Sequence, residues 1–293
     1  MSPVNETQNW ARAERLDADL LASALAEQAG IRLIVEGPCE GGQVGAAYVR
    51  WPDGRRSVLK WRPQTDVAEM QAGPEAVVDA VRSVGYPAPA TELIAQVGHA
   101  VVTVQELLPG TKIDRLTHSG LDQALALNEL QADRLTDSPE VPQFKLYLRD
   151  DGPGFCLHEP LRKHSRRSAR LEDWLAAVGA EYPDQLPGDD AVHADFHPGN
   201  MLAVDESITG VIDWDGAARG DRRLDLVTLR FGLHPAPGPG LPDRLDSVLD
   251  TFPEEILRPA WAHMSLRMVD WAIRHFSAPE VDAWLDLAER RID

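Results

Sequence analysis

Cysteine is nearly absent: Cys39 and Cys156 are the only two in 293 residues, far apart and without metal-ligand spacing. That excludes a disulfide framework and a cysteine-built zinc site. No apolar run approaches the roughly 18 residues of a membrane-spanning helix. The first residues, Met1 to Arg15, are polar and acidic, unlike the cationic and then apolar profile of a secretory signal. A cytoplasmic protein is expected. Positive charge is short as well, with 29 Lys and Arg against 47 Asp and Glu and a net charge of -18 at pH 7. Such a chain repels phosphate backbones and anionic bilayers, so neither nucleic acid nor membrane is expected as a partner. Lysine is scarcest of all: only Lys60, Lys112, Lys145 and Lys163 occur, so a lysine in an unusual setting is informative.

What is present is enough apolar sequence, 43% of the chain, to bury one large core or two modest ones. Residues 16–29 place Leu16, Leu20, Leu21 and Leu25 on one helical face and stop at Gly30. Residues 31–36, 46–50 and 57–62 read as strands separated by Gly-rich and Pro-Asp-Gly turns. Residues 66–84 have helical periodicity, and two more strand-like runs follow at 92–96 and 100–106. After Leu108-Pro-Gly110 the character changes, with helical patterns at 121–135, 171–178, 222–231 and 256–276. The exception is residues 191–214, where 201–204 and 208–212 suggest a small hairpin. Residues 234–242, HPAPGPGLP, read as an irregular loop. The acidity is uneven: residues 1–110 hold nine bases and fourteen acids, a charge of -5, and residues 111–293 hold twenty and 33, a charge of -13.

The densest chemical signal is His193-Ala-Asp195-Phe-His197-Pro-Gly-Asn200, followed by Asp213 in Val211-Ile-Asp213-Trp-Asp215. Phosphoryl transfer needs a carboxylate at the acceptor hydroxyl and weakly nucleophilic oxygen ligands for Mg²⁺. Asp195 supplies the first; Asn200 and Asp213 supply the second. The competing readings are a polar turn between strands and a metal-dependent hydrolase in which His193, Asp195 and His197 ligate Zn²⁺ or Mn²⁺.

The residues HADFHPGN and VIDWD, with VLKW earlier, resemble the aminoglycoside phosphotransferase and choline kinase-like family, whose fold is similar to that of protein kinases. The resemblance runs from about Gly37 to Phe231. It implies an α+β, bilobal kinase-like fold, with a β-rich nucleotide-binding lobe over residues 1–106 and a mainly helical catalytic and acceptor-binding lobe over 107–293. It implies a phosphotransferase acting on an alcohol group, with ATP or GTP as donor and Mg²⁺ as cofactor. Lys60 then matches the phosphate-binding lysine and Glu75, preferred over Glu69, its ion-pair partner. Gln43 and Val44 fall at the tip of the phosphate-covering loop, and Gln105, Glu106 and Leu107 in the hinge that meets the purine. His193 and Asp225 brace the catalytic loop. Ala194 departs from the family's usual glycine and is expected to fit a tight turn at negative φ.

The antibiotic-modifying members hold polycations with carboxylates late in the chain, so Asp215, Asp221, Asp270, Glu289 and Asp293 are the acceptor-site candidates. The expected acceptor is a small cationic hydroxyl compound, an aminoglycoside or a cationic peptide antibiotic of the tuberactinomycin type, and the expected role is resistance. A small-metabolite kinase acting on an amino alcohol, a sugar or a homoserine-like acceptor, and a non-catalytic kinase-like module, are the alternatives. Trp261, Met264, Met268 and Trp271 have helical spacing and read as core, and the basic run 161–170 reads as a solvated helix start. A monomer or homodimer is expected.

Overall fold

The computed structural model describes residues 17–40, 45–234 and 238–292. Helix α1 (Ala18–Ala29) starts where the Asp17 side chain accepts the Leu20 N–H at 3.0 Å and ends at Gly30, at φ 69, a left-handed cap that glycine adopts without strain. Five strands follow: β1 (Ile34–Pro38), β2 (Ala47–Arg50), β3 (Arg56–Pro63), β4 (Thr91–Val97) and β5 (Ala100–Glu106). They form one antiparallel sheet in the order β1-β2-β3-β5-β4. Alternation along β3 buries Ser57, Leu59 and Trp61, so Lys60 and Arg62 point to the opposite face. Leu21, Leu25, Val49, Leu59, Trp61, Val102 and Val104 make a small core between α1 and the sheet.

The helix expected over 66–84 is divided. Helix α2 (Val67–Met70) passes through a π turn (Gln71–Glu75) before α3 (Ala76–Arg82), with Gly73 at non-helical angles and Pro74 inside the turn. Proline has no N–H for the ladder and its ring displaces the preceding carbonyl, so the helix reorganises there. Val77, Val78 and Val81 of α3 pack into the larger core rather than the small one.

Beyond Gly110, short strand β6 (Thr111–Lys112) pairs with β8 (Met201–Val204), and β8 pairs with β9 (Ser207–Val211), the hairpin the sequence suggested. Strands β7 (Asp190–Val192) and β10 (Ala218–Gly220) form a second small ladder. Around them stand α4 (His118–Leu130), α5 (His158–His164), α6 (Arg166–Glu181), α7 (Arg223–Gly232), α8 (Leu241–Leu249), α9 (Glu254–His275) and α10 (Ala278–Ala288). Helices α5, α8 and α10 were not anticipated, being short or opened by prolines. Helix α9 is buried on most sides, from Ile256 through Trp261 and Leu266 to Ala272, and packs on α5, α6, α7 and α10. It is the central pillar. The basic run 161–170 spans the end of α5 and the start of α6, joined by a reciprocal cap between Ser165 and Ser168. Its charge is spent locally, Arg162 on Glu172 and Arg167 on Asp286 and Glu289. Among the described residues no helix is long and apolar enough to cross a membrane.

Gly110 closes the segment that leads from the sheet to the helical part. Its φ is 109, and a Cβ there would lie 2.7 Å from the Ala203 carbonyl oxygen. Gly110→Ala is expected to destabilise the fold by about 1–3 kcal/mol, read as a lower urea midpoint with unchanged m-value.

Candidate active site

The segment between β7 and β8 carries the motif and is positioned from α7. Asp225, fully buried, accepts N–H groups from His193 (2.8 Å), Ala194 (2.8 Å) and the Gln131 side chain (2.7 Å). Burial pushes its carboxyl up to about 6, while these donors pull in the other direction. The two backbone donors turn the chain sharply, and Ala194 sits at φ 68. The negative φ expected for this alanine is therefore overturned: pointing both N–H groups at one carboxylate requires the left-handed conformation, which alanine adopts only under strain. At the end of α7, Gly232 permits close approach, since a Cβ there would fall 2.5 Å from the His197 Cβ.

His193 is also fully buried, and both ring nitrogens are engaged: Nδ1 accepts the Asp195 N–H at 3.1 Å and Nε2 lies 3.0 Å from the Ile212 carbonyl. Burial lowers its pKa to about 4, so the ring is neutral. It cannot also ligate a metal through either nitrogen. Among the described residues no group of three or more His, Cys, Asp or Glu side chains forms a metal cluster. The hydrolase alternative loses its ligands.

Asp195 faces the cleft with each oxygen held. Oδ2 accepts from Asn200 Nδ2 at 2.9 Å, and Oδ1 accepts from Arg267 Nη2 at 2.7 Å. Arg267 Nη1 also reaches the Ala194 carbonyl at 2.6 Å, so one guanidinium from α9 clamps both the strained turn and the carboxylate. Burial alone would raise the Asp195 pKa, but the Arg267 charge and His197 hold it well below the usual carboxylate range. Arg267 was not anticipated from the sequence. It is one of 25 arginines on a helix without a motif, and only its neighbour in space distinguishes it.

Lys60 reaches across from β3 to the loop after β9, with Nζ 2.7 Å from Asp213 Oδ1 and 2.8 Å from Asp215 Oδ1. Burial opposes its charge, yet the two carboxylates raise its pKa above the ordinary value, and Lys60 in turn lowers that of Asp213. Arg62 adds a bond to the Asp215 carbonyl at 2.7 Å. This corrects two expectations. Glu75 makes no direct ion pair with Lys60, whose charge nonetheless acts on its carboxyl: Glu75 ends the turn that contains Pro74, and its own pKa is raised, chiefly by burial. Asp215 is tied to that lysine rather than offered to an acceptor.

The other acceptor candidates are placed elsewhere. Asp221 is spent on Arg223 beside the start of α7, Asp270 accepts from Arg274 and the Leu157 N–H, and Glu289 is held by both Nε and Nη2 of Arg167. Each acid has an arginine nearby, and pairing there overrides service in the cleft. In the hinge region Gln105 is buried, and Glu106 uses its N–H on Ala90 and its carboxylate on Arg82 and the Ala90 N–H; Leu107 follows the end of β5. Gln43, Val44 and Asp293 lie outside the described residues. Of the four residues read as core, Trp261 and Met264 are buried core, while Met268 and Trp271 are only partly buried and, with one side of Met264, line a cavity of about 390 Å³ that opens onto Asp195.

The donor set suits a hard dication. Asn200 spends its amide nitrogen on Asp195 Oδ2 and on the Asp195 carbonyl, which leaves its oxygen for a ligand, and Asp213 adds carboxylate oxygens next to it in the cleft, the oxygen-rich set that Mg²⁺ prefers.

Two consequences are measurable. Ala194→Gly relieves the left-handed strain at some entropic cost and should raise the unfolding free energy by roughly 0.5–1 kcal/mol, measured by chemical denaturation. Arg267→Met removes the cation that keeps Asp195 ionised. The acidic limb of the pH–rate profile should then move up toward neutrality, because burial is left unopposed, and kcat should drop on the order of 10²-fold from misplacement of the carboxylate. A steady-state pH series checks both, and an unshifted acidic limb would contradict the role given to Arg267.

This arrangement has counterparts. The model of a family described as "Phosphotransferase enzyme family" matches residues 37–264. No curated protein matches the sequence. A thermostable mutant of aminoglycoside phosphotransferase APH(4)-Ia, in ternary complex with AMP-PNP and hygromycin B, is similar at 17% identity and TM-score 0.66, covering 94% of this chain and 100% of that one. An aminoglycoside phosphotransferase, APH(3'')-Id of Streptomyces rimosus, in complex with ADP and streptomycin, matches at 18% identity and TM-score 0.52 over 85% of this chain and 97% of that one. A protein described as a putative fructosamine-3-kinase from Haemophilus somnus matches at 13% identity and TM-score 0.56 over 93% and 97%. With a kinase-like α+β fold and the family model spanning most of its length, the chain belongs to the phosphotransferase enzyme family.

Proposed function

We propose that the protein transfers the γ-phosphoryl group of a nucleoside triphosphate, ATP or GTP, to a hydroxyl of a small molecule. The observation that carries this reading is the convergence in one cleft of Asp195, Asn200, Asp213 and Lys60, drawn from β3 and from two loops of the helical part. The nucleotides bound in the structural neighbours support the choice of donor.

Each residue has a defined task. Lys60 brings a compact positive charge to the donor phosphates, exchanging carboxylate partners for phosphate oxygens. Asn200 and Asp213 would hold Mg²⁺, which supplies charge neutralisation on the transferring group when bound. Asp195 accepts a hydrogen bond from the acceptor hydroxyl and fixes the attacking oxygen in line. Its depressed pKa makes it a weak base, so it takes the proton late, once the new O–P bond has acidified the hydroxyl; the bond to the β-phosphate oxygen breaks and the nucleoside diphosphate keeps that electron pair. Catalysis thus rests mainly on positioning, as a loose transition state requires. The hinge segment 105–107 would meet the purine through backbone groups other than the Glu106 N–H, which is committed to Ala90 at 2.8 Å.

An antibiotic-resistance role on a polycationic acceptor was the expectation the family resemblance implied, and the aminoglycosides bound to two neighbours keep that class in the test. Of the carboxylates expected to serve it, however, Asp221, Asp270 and Glu289 are paired with arginines and Asp215 with Lys60, and Asp293 lies outside the described residues.

Asp195→Asn should leave nucleotide affinity within about twofold while lowering turnover on the order of 10²–10⁴-fold. Lys60→Ala should raise the nucleotide KM instead. Labelled-nucleotide transfer assays read both, and wild-type turnover in the Asp195 variant would contradict the assignment.

A further inference from the structure

The cavity beside Asp195 has a wall chemistry unlike that required by a polycation. One face of α9 presents Met264, Met268 and Trp271 at a spacing that puts them on one side of the helix, and Trp284 from α10, Phe276 and Phe155 complete the lining. Trp271 meets Phe276 edge-on at 4.7 Å between ring centroids and Trp284 edge-on at 5.9 Å. Three aromatic rings thus bracket the space next to the catalytic carboxylate. Phe276 is one of the few large apolar side chains the described surface leaves exposed, and an exposed aromatic at the rim of a concave apolar site marks it for a ligand.

The polar groups of the cavity are few and already engaged. Asp195 is paired with Arg267. Glu280 closes the N-terminal cap of α10, accepting from the Ser277 N–H at 3.0 Å and hydroxyl at 2.6 Å. His234 meets Trp284 edge-on at 4.4 Å, and burial, with Arg230 and Arg290 beside it, lowers its pKa. The Thr228 hydroxyl donates to the Leu224 carbonyl. His197 also lines the cavity, its Nδ1 accepting the Gly199 N–H and its Nε2 3.6 Å from Asp195 Oδ2; the permanent charges are two carboxylates and one guanidinium, at most one net negative charge. Each ammonium of a polycation would give up its hydration for an aromatic or thioether wall, at several kcal/mol per unpaired charge. An apolar ring gains there instead, through area burial and edge-to-face contact. One cationic amine can be met by the tryptophan faces and Glu280.

We infer that the acceptor is a hydroxyl compound with an apolar, ring-sized body and no more than one positive charge, its ring held between Met268, Trp271, Phe276 and Trp284 and its hydroxyl on Asp195. This rests on the phosphotransferase reading above and narrows its acceptor. It also makes α9 the specificity element.

The test uses the full chain with AMP-PNP and Mg²⁺ and three probes: cyclohexylpropanol, uncharged; cyclohexylaminoethanol, singly cationic; and kanamycin, polycationic. Binding is followed by calorimetry and by the shift in tryptophan emission. Both cyclohexyl alcohols should bind at least about tenfold more tightly than kanamycin; one deeply buried ring is worth that much. Met268→Glu should weaken cyclohexylpropanol about tenfold and tighten kanamycin, and Trp271→Leu should weaken both cyclohexyl alcohols, with thermal melts confirming that each variant is folded. Tighter binding of kanamycin than of either cyclohexyl alcohol, no binding of any probe at millimolar concentration, or affinities unmoved by both variants would overturn the inference. Replacing AMP-PNP by ATP separates the two layers. Phosphorylation of kanamycin with both variants as active as wild type would refute the apolar acceptor and keep the phosphotransferase. Tight cyclohexyl binding that responds to both variants, with no phosphate transferred to any probe, would support the pocket and count against the phosphotransferase.

Discussion

The carboxylate of Asp225 organises the active centre. A buried anion is expensive unless hydrogen bonds replace its hydration, and here three N–H groups do so, from His193, Ala194 and Gln131. Two of those donors are consecutive backbone amides. Satisfying the anion therefore dictates the path of the chain through the turn and accepts the strain of an alanine in the left-handed region. The turn in turn aims Asp195 into the cleft, where Asn200 and Arg267 can each take one of its oxygens. The fold supplies the anchor from α7, and the geometry of the catalytic loop follows from one electrostatic requirement.

The same economy governs the rest of the charge. The excess of acids over bases reads, in composition, as a reservoir for a cationic ligand. In three dimensions the excess remains, since every pair uses a base as well, but particular carboxylates are engaged inside the protein: Asp221 by Arg223, Asp270 by Arg274, Glu289 by Arg167, and Asp213 and Asp215 by Lys60. Several of these pairs are buried, Asp270 completely, so what each contributes to stability is offset by desolvation. Their effect on recognition is larger, because a carboxylate already facing a guanidinium is not offered to an acceptor's ammonium. Net charge alone thus says little about what the cleft accepts.

Legibility in the sequence followed locality. Asp195, Asn200 and Asp213 were readable because a short loop and a hairpin fix their spacing, and Lys60 because lysine is rare and lies on a strand of alternating burial. The five strands of the first sheet and the long helices were marked by periodicity and by Gly and Pro punctuation. Features decided by partners distant in sequence were hidden. Asp195 lies 72 residues from Arg267, and nothing in the periodicity of α9 separates a core stripe from a cavity wall: Met268 and Trp271 continue the stripe of the buried Met264 and would be core too if another helix covered them. Glu75 was expected to meet Lys60 directly, and the helical pattern gives no sign that Gly73 and Pro74 kink the helix just before it. Ala194 was given the wrong sign of φ because a lone alanine carries no record of two amides drawn to one carboxylate.

Arg267 joins these two layers of the site. It lies on the same stretch of α9 as Met264, Met268 and Trp271, so the element that would receive the acceptor's body is also the element that holds the catalytic carboxylate. A ring bound against Met268 and Trp271 presses on a helix that is otherwise buried on most sides, and a close-packed helix moves as a unit rather than residue by residue. Any shift of α9 under a badly fitting acceptor is therefore transmitted through the guanidinium to Asp195 and to the Ala194 carbonyl. Transfer depends on sub-ångström placement of the attacking oxygen. On the proposed acceptor site, discrimination among acceptors would then arise in turnover as well as in binding, because the wall proposed to select the ring is mechanically continuous with the group proposed to align the hydroxyl.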